Sequence, residues 1–283
     1  MTNKIIALVD GSTYSKSVCD HAAWFAGHGG YEVELMHVLG RREGSGGSDL
    51  SGAISLGARS ALLEELSKID EQRAKLVVRR GRAILEDAKA LLDEAGVRAT
   101  EHLRHGDLIE AISETEGRAD MILIGKRGEA ADFAKGHLGS NLERIVRAAS
   151  KPLFIASRAF RPIEKVLIAY DGSASAMRAV DYMARSVLYS NLAIKIVTVG
   201  SATEAAKKGL EDAKAMLSAA GLKAETGILP GQPEEALGKL IDEAEFNHLV
   251  IGASGHSRLR SLFVGSTSLE MIRTCKVPIL LVK

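Results

Sequence analysis

The sequence predicts an α/β protein of two similar domains, each a parallel sheet flanked by helices. Its length of 283 residues suits two domains. Residues 84–99 and 209–224 are identical at ten of sixteen positions, so the chain contains an internal repeat. Brief runs of aliphatic and β-branched residues alternate with longer helical patterns, which is typical of parallel strands joined by helices. A repeat unit this long indicates a duplicated domain.

Other landmarks of the repeat recur in the same order. The segment Ile6–Ser12, with sequence IALVDGS, corresponds to Leu167–Ser173, with sequence LIAYDGS. A short polar connector at Ser157–Arg161 separates the two halves. We therefore predict one domain at residues 1–158 and a second at residues 162–283.

Five strands are predicted in the second half. Their apolar runs are continuous rather than alternating, as expected when helices cover both faces of a sheet. A helix over Glu204–Ala220 should end at Gly221. The predicted strands lie near Lys165–Tyr170, Ala193–Val199, Lys223–Ile228, His248–Gly252 and Pro278–Val282.

The first half carries an insertion at about residues 40–80. It is glycine-rich over Gly40–Gly57, and a helical pattern then runs from Ala58 to about Val78, before the repeated helix that starts near Ile84. We interpret it as a mobile loop plus an added helix. Two explanations stay open, a tolerated surface insertion and a lid or partner surface.

Composition excludes several classes of function. Lys and Arg number 37 against 36 Asp and Glu, so no large positive field is present to hold a nucleic acid. No apolar run approaches the ~18 residues that cross a bilayer, and we expect a cytoplasmic protein without membrane contacts. Cys19 and Cys275 match neither a metal spacing nor a disulfide framework and are expected to be packed thiols in helices. Zinc is disfavoured because the following histidines do not cluster at ligand spacing: His37, His137, His248 and His256.

A candidate anion site follows the fourth strand of the second half. Gly252 and Gly255 are followed, after nine residues, by Gly265-Ser266-Thr267-Ser268 at the start of a helix. Glycines allow close approach of the backbone to a phosphate, and free amides at a helix start bind anions. The intervening His256, Arg258 and Arg260 add positive charge without a carboxylate, which favours a polyphosphate.

With these residues the chain resembles the universal stress protein family in its tandem two-domain form. The pattern of Gly, two residues, Gly, nine residues, Gly-Ser is that family's ATP-binding signature. The resemblance implies five-stranded sheets of the adenine-nucleotide-binding type, paired through their last strands, and ATP as ligand in the nucleotide-binding members. We expect Mg²⁺ to accompany the ATP. The resemblance places the adenosine beside Asp171 and Val199. It assigns the phosphates to Gly252, Gly255, Gly265, Ser266 and Thr267.

The first half departs from this signature. Ten residues separate Gly128 from Gly139, and relative to Glu143 and Glu270 the glycine is displaced one position toward the helix. Glu129 and Asp132 would repel phosphates, although this repulsion could be offset by Lys126, Arg127, Lys135 and His137. We therefore predict a single nucleotide site, in the second half. The matching positions of the first half are Asp10, Val38, Gly125, Gly128, Gly139 and Ser140.

Simpler explanations exist for parts of these motifs. Ser140 with Glu143, and Thr267 with Glu270, fit a capping box, in which two side chains satisfy the amides at a helix start. Asp171 and Ser173 suit a helix cap as well. Residues 45–49 (SGGSD) resemble the ATP pyrophosphatase signature, but they follow the second strand instead of the first, so we treat this match as accidental.

The sequence offers no nucleophile with a recognisable base partner. We expect a non-enzymatic stress-response module that binds ATP and changes its partner or oligomer preference, with the two domains paired and a homodimer as one assembly. One alternative is a nucleotide-free tandem scaffold that binds a protein or another small ligand. Weaker alternatives are a slow ATPase and an ATP-consuming enzyme that uses the Gly40–Gly57 loop.

Overall fold

The structure is a computed structural model that describes residues 3–40, 56–128, 140–253 and 265–283. The first half contains β1 (Lys4–Leu8), α1 (Thr13–Gly29), β2 (Glu32–Leu39), α2 (Leu56–Glu94), β3 (Ala99–His105), α3 (Leu108–Thr115), β4 (Met121–Gly125), α4 (Ser140–Ala148) and β5 (Leu153–Ala156). The second half contains β6 (Lys165–Ala169), α5 (Ala174–Arg185), β7 (Ala193–Val199), α6 (Glu204–Ala219), β8 (Ala224–Leu229), α7 (Pro233–Glu243), β9 (His248–Gly252), α8 (Ser266–Thr274) and β10 (Ile279–Val282).

All ten strands form a single sheet in the order β3-β2-β1-β4-β5-β10-β9-β6-β7-β8. Strands within each half are parallel, and β5 pairs with β10 in antiparallel orientation, with Phe154 opposite Leu280. The predicted fold class, two five-stranded parallel sheets flanked by helices and joined through their last strands, is confirmed. In each half the strand order reverses beside the first strand, which is where α/β folds form a ligand crevice.

Helices cover both faces of this sheet, which explains the continuous apolar strands. In β1, Ile5 and Ala7 belong to the core on one face, while Ile6 belongs to the core on the other. Both cores extend across the junction of the halves, since each contains buried residues of β5 and β10. Among the described residues, no helix has the combined length and apolar character of a membrane span.

The predicted separation between an added helix and the repeated helix is wrong. Helix α2 runs without interruption from Leu56 to Glu94 and therefore contains both. Gly81 does not end it, because this glycine lies where α2 crosses the sheet. A Cβ atom at Gly81 would lie 2.8 to 3.0 Å from side-chain atoms of Leu103, Leu39 and His37. Most of the predicted Gly40–Gly57 loop, including residues 45–49, lies outside the described residues.

Two buried histidines lie near the junction of the halves. His21 on α1 contacts the ring of Phe154, and its Nδ1 is 2.6 Å from the Ser17 carbonyl oxygen. His248 on β9 places Nδ1 3.1 Å from the Pro278 carbonyl oxygen. Burial lowers the pKa of His21 to about 4 and that of His248 to about 3, so both imidazoles are neutral at pH 7.

Candidate functional site

A cavity of about 380 Å³ opens at the carboxyl ends of β6, β7 and β9, between the starts of α7 and α8. It lies at the reversal of strand order in the second half, as the topology requires of a ligand crevice. Its lining comprises Ala169, Tyr170, Asp171, Val197, Val199, Pro233, Leu237, Ile251, Gly252, Gly265, Ser266, Thr267, Ser268 and Met271.

The cavity brings together the described residues that the sequence pointed to in the second half. Its lining includes Asp171, Val199, Gly252, Gly265, Ser266 and Thr267. Gly255 lies outside the described residues, as do His256, Arg258 and Arg260. The structure thus assembles most of the predicted site from four separate segments of the chain.

The carboxylate of Asp171 shapes the turn between β6 and α5. Its Oδ1 accepts a hydrogen bond from the Ser173 amide at 2.9 Å, across Gly172, which has a left-handed φ of 77°. Ser173 is the residue that caps α5, because its hydroxyl oxygen accepts from the Ala176 amide at 3.1 Å. The cap predicted for this pair therefore belongs to Ser173, while Asp171 lines the cavity.

Helix α8 begins at the cavity without a side-chain cap. Its N-cap residue is Gly265, so Thr267 is the second helical residue, and the alternative explanation of Thr267 and Glu270 as a capping box is wrong. Glu270 instead pairs with Arg273 at 2.6 Å. The first amides of a helix have no intrahelical acceptor and carry the positive end of the helix dipole. The exposed residues Ser266 and Thr267 add hydroxyl donors, so this helix start has the chemistry of an anion site.

Two hydrogen bonds hold this helix start against the sheet. The Gly265 amide donates to the Ala253 carbonyl oxygen at 2.8 Å, and the Ser268 hydroxyl donates to the Gly252 carbonyl oxygen at 2.9 Å. Both acceptors lie at the end of β9. The position of the uncapped amides is therefore fixed by the sheet.

Gly252 has a packing role as well. A Cβ atom at this position would lie 2.6 Å from the Ala176 amide nitrogen, so the missing side chain allows α5 to approach β9. Gly125 does the same in the first half, where a Cβ atom would lie 2.6 Å from the Cβ of Tyr14. Close helix packing alone accounts for a glycine at both positions.

The matching positions of the first half are arranged differently. A Cβ atom at Gly128 would lie 2.8 Å from Oδ2 of Asp10, so this glycine lies directly against that carboxylate. The other oxygen, Oδ1, accepts from the Ser12 amide at 3.0 Å. Val38 is half-buried near the end of β2. Gly139 and the Ser140 side chain lie outside the described residues, as does Glu129.

Helices α4 and α8 correct the predicted alignment of the two loops. Each begins at a serine, Ser140 and Ser266, directly after a glycine. Their buried positions then coincide when Ser140 is matched with Ser266, which places the extra residue of the first half among residues 129–139 and not at the helix start. Leu142, which is buried, replaces Ser268 in this alignment.

Histidine and cysteine side chains are engaged elsewhere. His37 Nδ1 is 2.7 Å from the Val9 carbonyl oxygen, and Thr198 makes the equivalent bond to Tyr170 in the second half. Within the described residues, no group of three His, Cys, Asp or Glu side chains is arranged to hold a metal. Cys19 is buried in α1, where burial raises its pKa to about 12, and Cys275 is buried just after the end of α8 rather than inside it.

Several lining residues were not singled out from the sequence. Tyr170 and Pro233 follow the ends of β6 and β8, so the strand-end rule alone identifies them. Leu237 and Met271 have the spacing of ordinary core residues. Their sequence signal does not separate a cavity wall from a filled core.

Comparisons with known proteins agree with this fold. The sequence profile of the Universal stress protein family matches residues 1–157 and 162–283. Universal stress protein Slr1230 of Synechocystis is 36% identical over 281 residues, which is 98% of each chain. Universal stress protein MJ0577 of Methanocaldococcus jannaschii is 30% identical over 81 residues, 29% of this chain and 50% of that protein.

A solved structure shows the same tandem arrangement. The crystal structure of a universal stress protein from Archaeoglobus fulgidus superposes with a TM-score of 0.75 at 21% identity, covering 100% of this chain and 99% of that chain. The profile match to both halves and the 36% identity to Slr1230 identify the chain as a member of the universal stress protein family, of the tandem two-domain type.

Proposed function

We propose that this protein binds ATP in the cavity of its second half and acts as a nucleotide-dependent interaction module of the cytoplasm. The observation that carries the proposal is the uncapped start of α8, which opens on the same cavity as Asp171. Phosphates would accept hydrogen bonds from the amides and hydroxyls of Ser266 and Thr267. The two domains are proposed at residues 1–158 and 162–283.

The remaining lining suits an adenosine. Val197, Leu237 and Ile251 provide apolar surface for the base, and the Asp171 carboxylate is an acceptor for ribose hydroxyls. A volume of about 380 Å³ is within the usual range of roughly 300–1,000 Å³ for small-molecule sites. Gly265 leaves the phosphate end without a side chain at the helix start, Gly252 contributes backbone to the lining, and Gly255 would extend this surface.

Magnesium would enter with the nucleotide. Mg²⁺ usually keeps several waters and is held by substrate phosphates and one or two carboxylates. Asp171 is the carboxylate that lines the cavity among the described residues. The phosphates and waters would therefore supply most of the ligands of the cation, and Asp171 would be the protein carboxylate available to it. No hydrolysis is proposed.

The first half is proposed not to bind ATP under the same conditions. Gly128 lies against the Asp10 carboxylate, which leaves less room for a phosphate there. Glu129 and Asp132 add negative charge to the same loop of the sequence. One ATP per chain is the expected stoichiometry.

Native mass spectrometry of freshly purified protein, combined with thermal unfolding in millimolar MgATP, tests the proposal. ATP at ~100 times its dissociation constant should add ~2.7 kcal/mol to the free energy of unfolding. A Gly265→Val variant should lose this stabilisation, because it adds a branched side chain to the cavity lining at the start of α8, where the phosphates are proposed to bind. Absence of both bound nucleotide and a thermal shift in the unmodified protein would overturn the proposal.

A nucleotide-free scaffold is the second candidate, and the antiparallel β5–β10 pair favours it. This pair makes one chain a built-in dimer of two domains, which needs no ligand. The Gly265→Val variant separates the candidates. A scaffold keeps its partner binding and assembly in this variant, whereas a nucleotide-dependent module loses its response to ATP.

A further inference from the structure

The amino-terminal part of α2 extends away from the domain. Residues 64–80 are exposed or half-buried throughout, and the first buried residue is Gly81, which contacts the sheet. At a rise of ~1.5 Å per residue this exposed part is ~25 Å long. An isolated helix gains little stability by itself in water, so such a segment is usually stabilised by contacts on its apolar side.

An apolar stripe runs along this exposed part. Leu66, Ile69 and Leu76 are spaced by three and seven residues, which places them on one side of the helix, and Arg73 lies on the same side between Ile69 and Leu76. Ile69 is 40% exposed and Leu76 is 61% exposed, and together with Val187 they are the exposed large hydrophobic residues of the described chain. Within the described residues, this stripe has no partner that buries it.

Charges on the same segment are divided between its two ends. Residues 64–71 contain Glu64, Glu65, Asp70 and Glu71 against Lys68, a net charge of 1 − 4 = −3. Residues 73–82 contain Arg73, Lys75, Arg79, Arg80 and Arg82 without an acidic residue, a net charge of +5. The segment is therefore complementary to a reversed copy of itself.

We propose that residues 64–80 of α2 pair with the same segment of a second copy of this chain in an antiparallel, two-fold symmetric helix dimer. A parallel pair would bring acidic ends together and basic ends together, and it is excluded by repulsion. Two-fold symmetry requires each surface to complement itself, and the reversed charge pattern meets this requirement. The proposal is independent of nucleotide binding.

The antiparallel arrangement predicts specific neighbours. Placing Leu66 of one copy against Leu76 of the other sets the register of the apolar contact. Residues 65, 72 and 79 flank this contact on one side, where Glu65 lies beside Arg79 of the second copy and Gln72 lies next to its own counterpart. Within the described residues, Glu65 and Arg79 take part in no ion pair, whereas Glu64 and Glu71 pair with Lys68 and Lys75 of the same helix. The charges at the predicted contact are therefore available to a second copy.

Sedimentation equilibrium of the full chain at micromolar concentration provides the first test. A dimer is expected, and Ile69→Glu with Leu76→Glu should weaken it roughly 100-fold by placing charges in the contact. Val187→Glu is the matched control, because Val187 is 60% exposed but lies far along the chain from this helix. A monomeric unmodified chain, or a dimer that tolerates both helix substitutions, would overturn the proposal.

Charge reversal tests the contact itself. Glu65→Arg and Arg79→Glu should each weaken the dimer, and the double variant should restore it, because the pair is regenerated with opposite sign. Circular dichroism would verify that each variant stays helical. Failure of the double variant to exceed both single variants in dimer affinity would contradict the assigned contact.

Cysteine cross-linking determines the orientation. Gln72→Cys should form a disulfide-linked dimer under mild oxidation, since position 72 lies beside its own counterpart. Glu65→Cys should not, because it faces position 79 of the other copy. The native Cys19 and Cys275 are buried, so they leave this assay unaffected. Equal cross-linking at positions 65 and 72 would indicate a parallel pair and would refute the antiparallel dimer.

Discussion

The two halves share a scaffold but differ at the carboxyl edge of the sheet. In the second half, Tyr170 follows β6, and Gly209 of α6 provides space for its ring, with a Cβ atom there lying 3.1 Å from Tyr170 Cε1. In the first half the small and the large side chain occupy the opposite positions, with the smaller one after the strand and the larger one on the helix. Val9 follows β1, and the residue that corresponds to Gly209 is Ile84, whose side chain lies against Gly11.

The halves differ again at the helix before the last strand, which is α4 in the first half and α8 in the second. Ser268 donates its hydroxyl to the end of β9, and the corresponding Leu142 is buried. At the junction, the buried His21 corresponds to Tyr182, and His248 corresponds to Met121. These differences indicate that strand order and helix packing are the same in the two halves, whereas the side chains at the carboxyl edge of the sheet and at the junction have diverged.

Acidification should cause the largest loss in free energy of unfolding among these predictions, and it acts at the junction of the two halves through His248. His248 has a pKa of about 3 when folded and an ordinary value of 6.5 when unfolded, so the unfolded chain binds the proton first as pH falls. Its contribution to stability is complete above pH 6.5 and declines by about 1.4 kcal/mol per pH unit as pH falls toward 3.

Replacing His248 by Met, the residue at the corresponding position of the first half, should make this slope shallower. Urea unfolding between pH 7 and pH 4 measures it, and His105→Gln at an exposed position is the control. An unchanged slope in His248→Met would show that the junction does not depend on a neutral imidazole.

The glycines at the ends of β4 and β9 should show where the halves remain alike. Gly252→Ala places a methyl group 2.6 Å from a backbone nitrogen, and Gly125→Ala places one 2.6 Å from Tyr14. Each should lower the free energy of unfolding by about 2 kcal/mol. In Gly238→Ala nothing lies within 4 Å of the new methyl, and this control should gain up to about 1 kcal/mol. Wild-type stability in Gly252→Ala would contradict the packing role.

Loss of the Ser268 hydroxyl should have the smallest effect. Ser268→Ala removes the hydrogen bond to the Gly252 carbonyl oxygen and should cost about 1 kcal/mol in urea unfolding. Ser266→Ala, at an exposed position, should leave stability unchanged and weaken ATP binding instead. Equal stability of the two variants would mean that Ser268 does not fix the helix start.

The sequence alone was sufficient to predict the sheet, because each strand pattern occurs in both halves of the repeat. The run from Ala193 to Val199 is a strand with the predicted bounds. The continuity of α2 could not be predicted, since Gly81 has the appearance of a helix end. Its reason is tertiary, namely the close approach to His37 and Leu39.

The candidate site was predictable where the backbone itself carries the chemistry. Gly265 and Ser266 stand in a motif, and the structure places both at the cavity. The walls were not predictable, because Leu237 and Met271 have the pattern of buried residues in any α/β domain. A capping box at Thr267 was an alternative explanation because its spacing to Glu270 is right, yet the helix begins two residues earlier than a cap at Thr267 requires.

Isothermal titration of the full chain with MgATP tests the central claim most directly, when it is carried out on the unmodified protein and on the pair Gly265→Val and Gly139→Val. We predict one ATP per chain for the unmodified protein and for Gly139→Val, and no binding for Gly265→Val. Two molecules of ATP per chain, or a loss of binding that follows Gly139→Val instead, would contradict a single site in the second half.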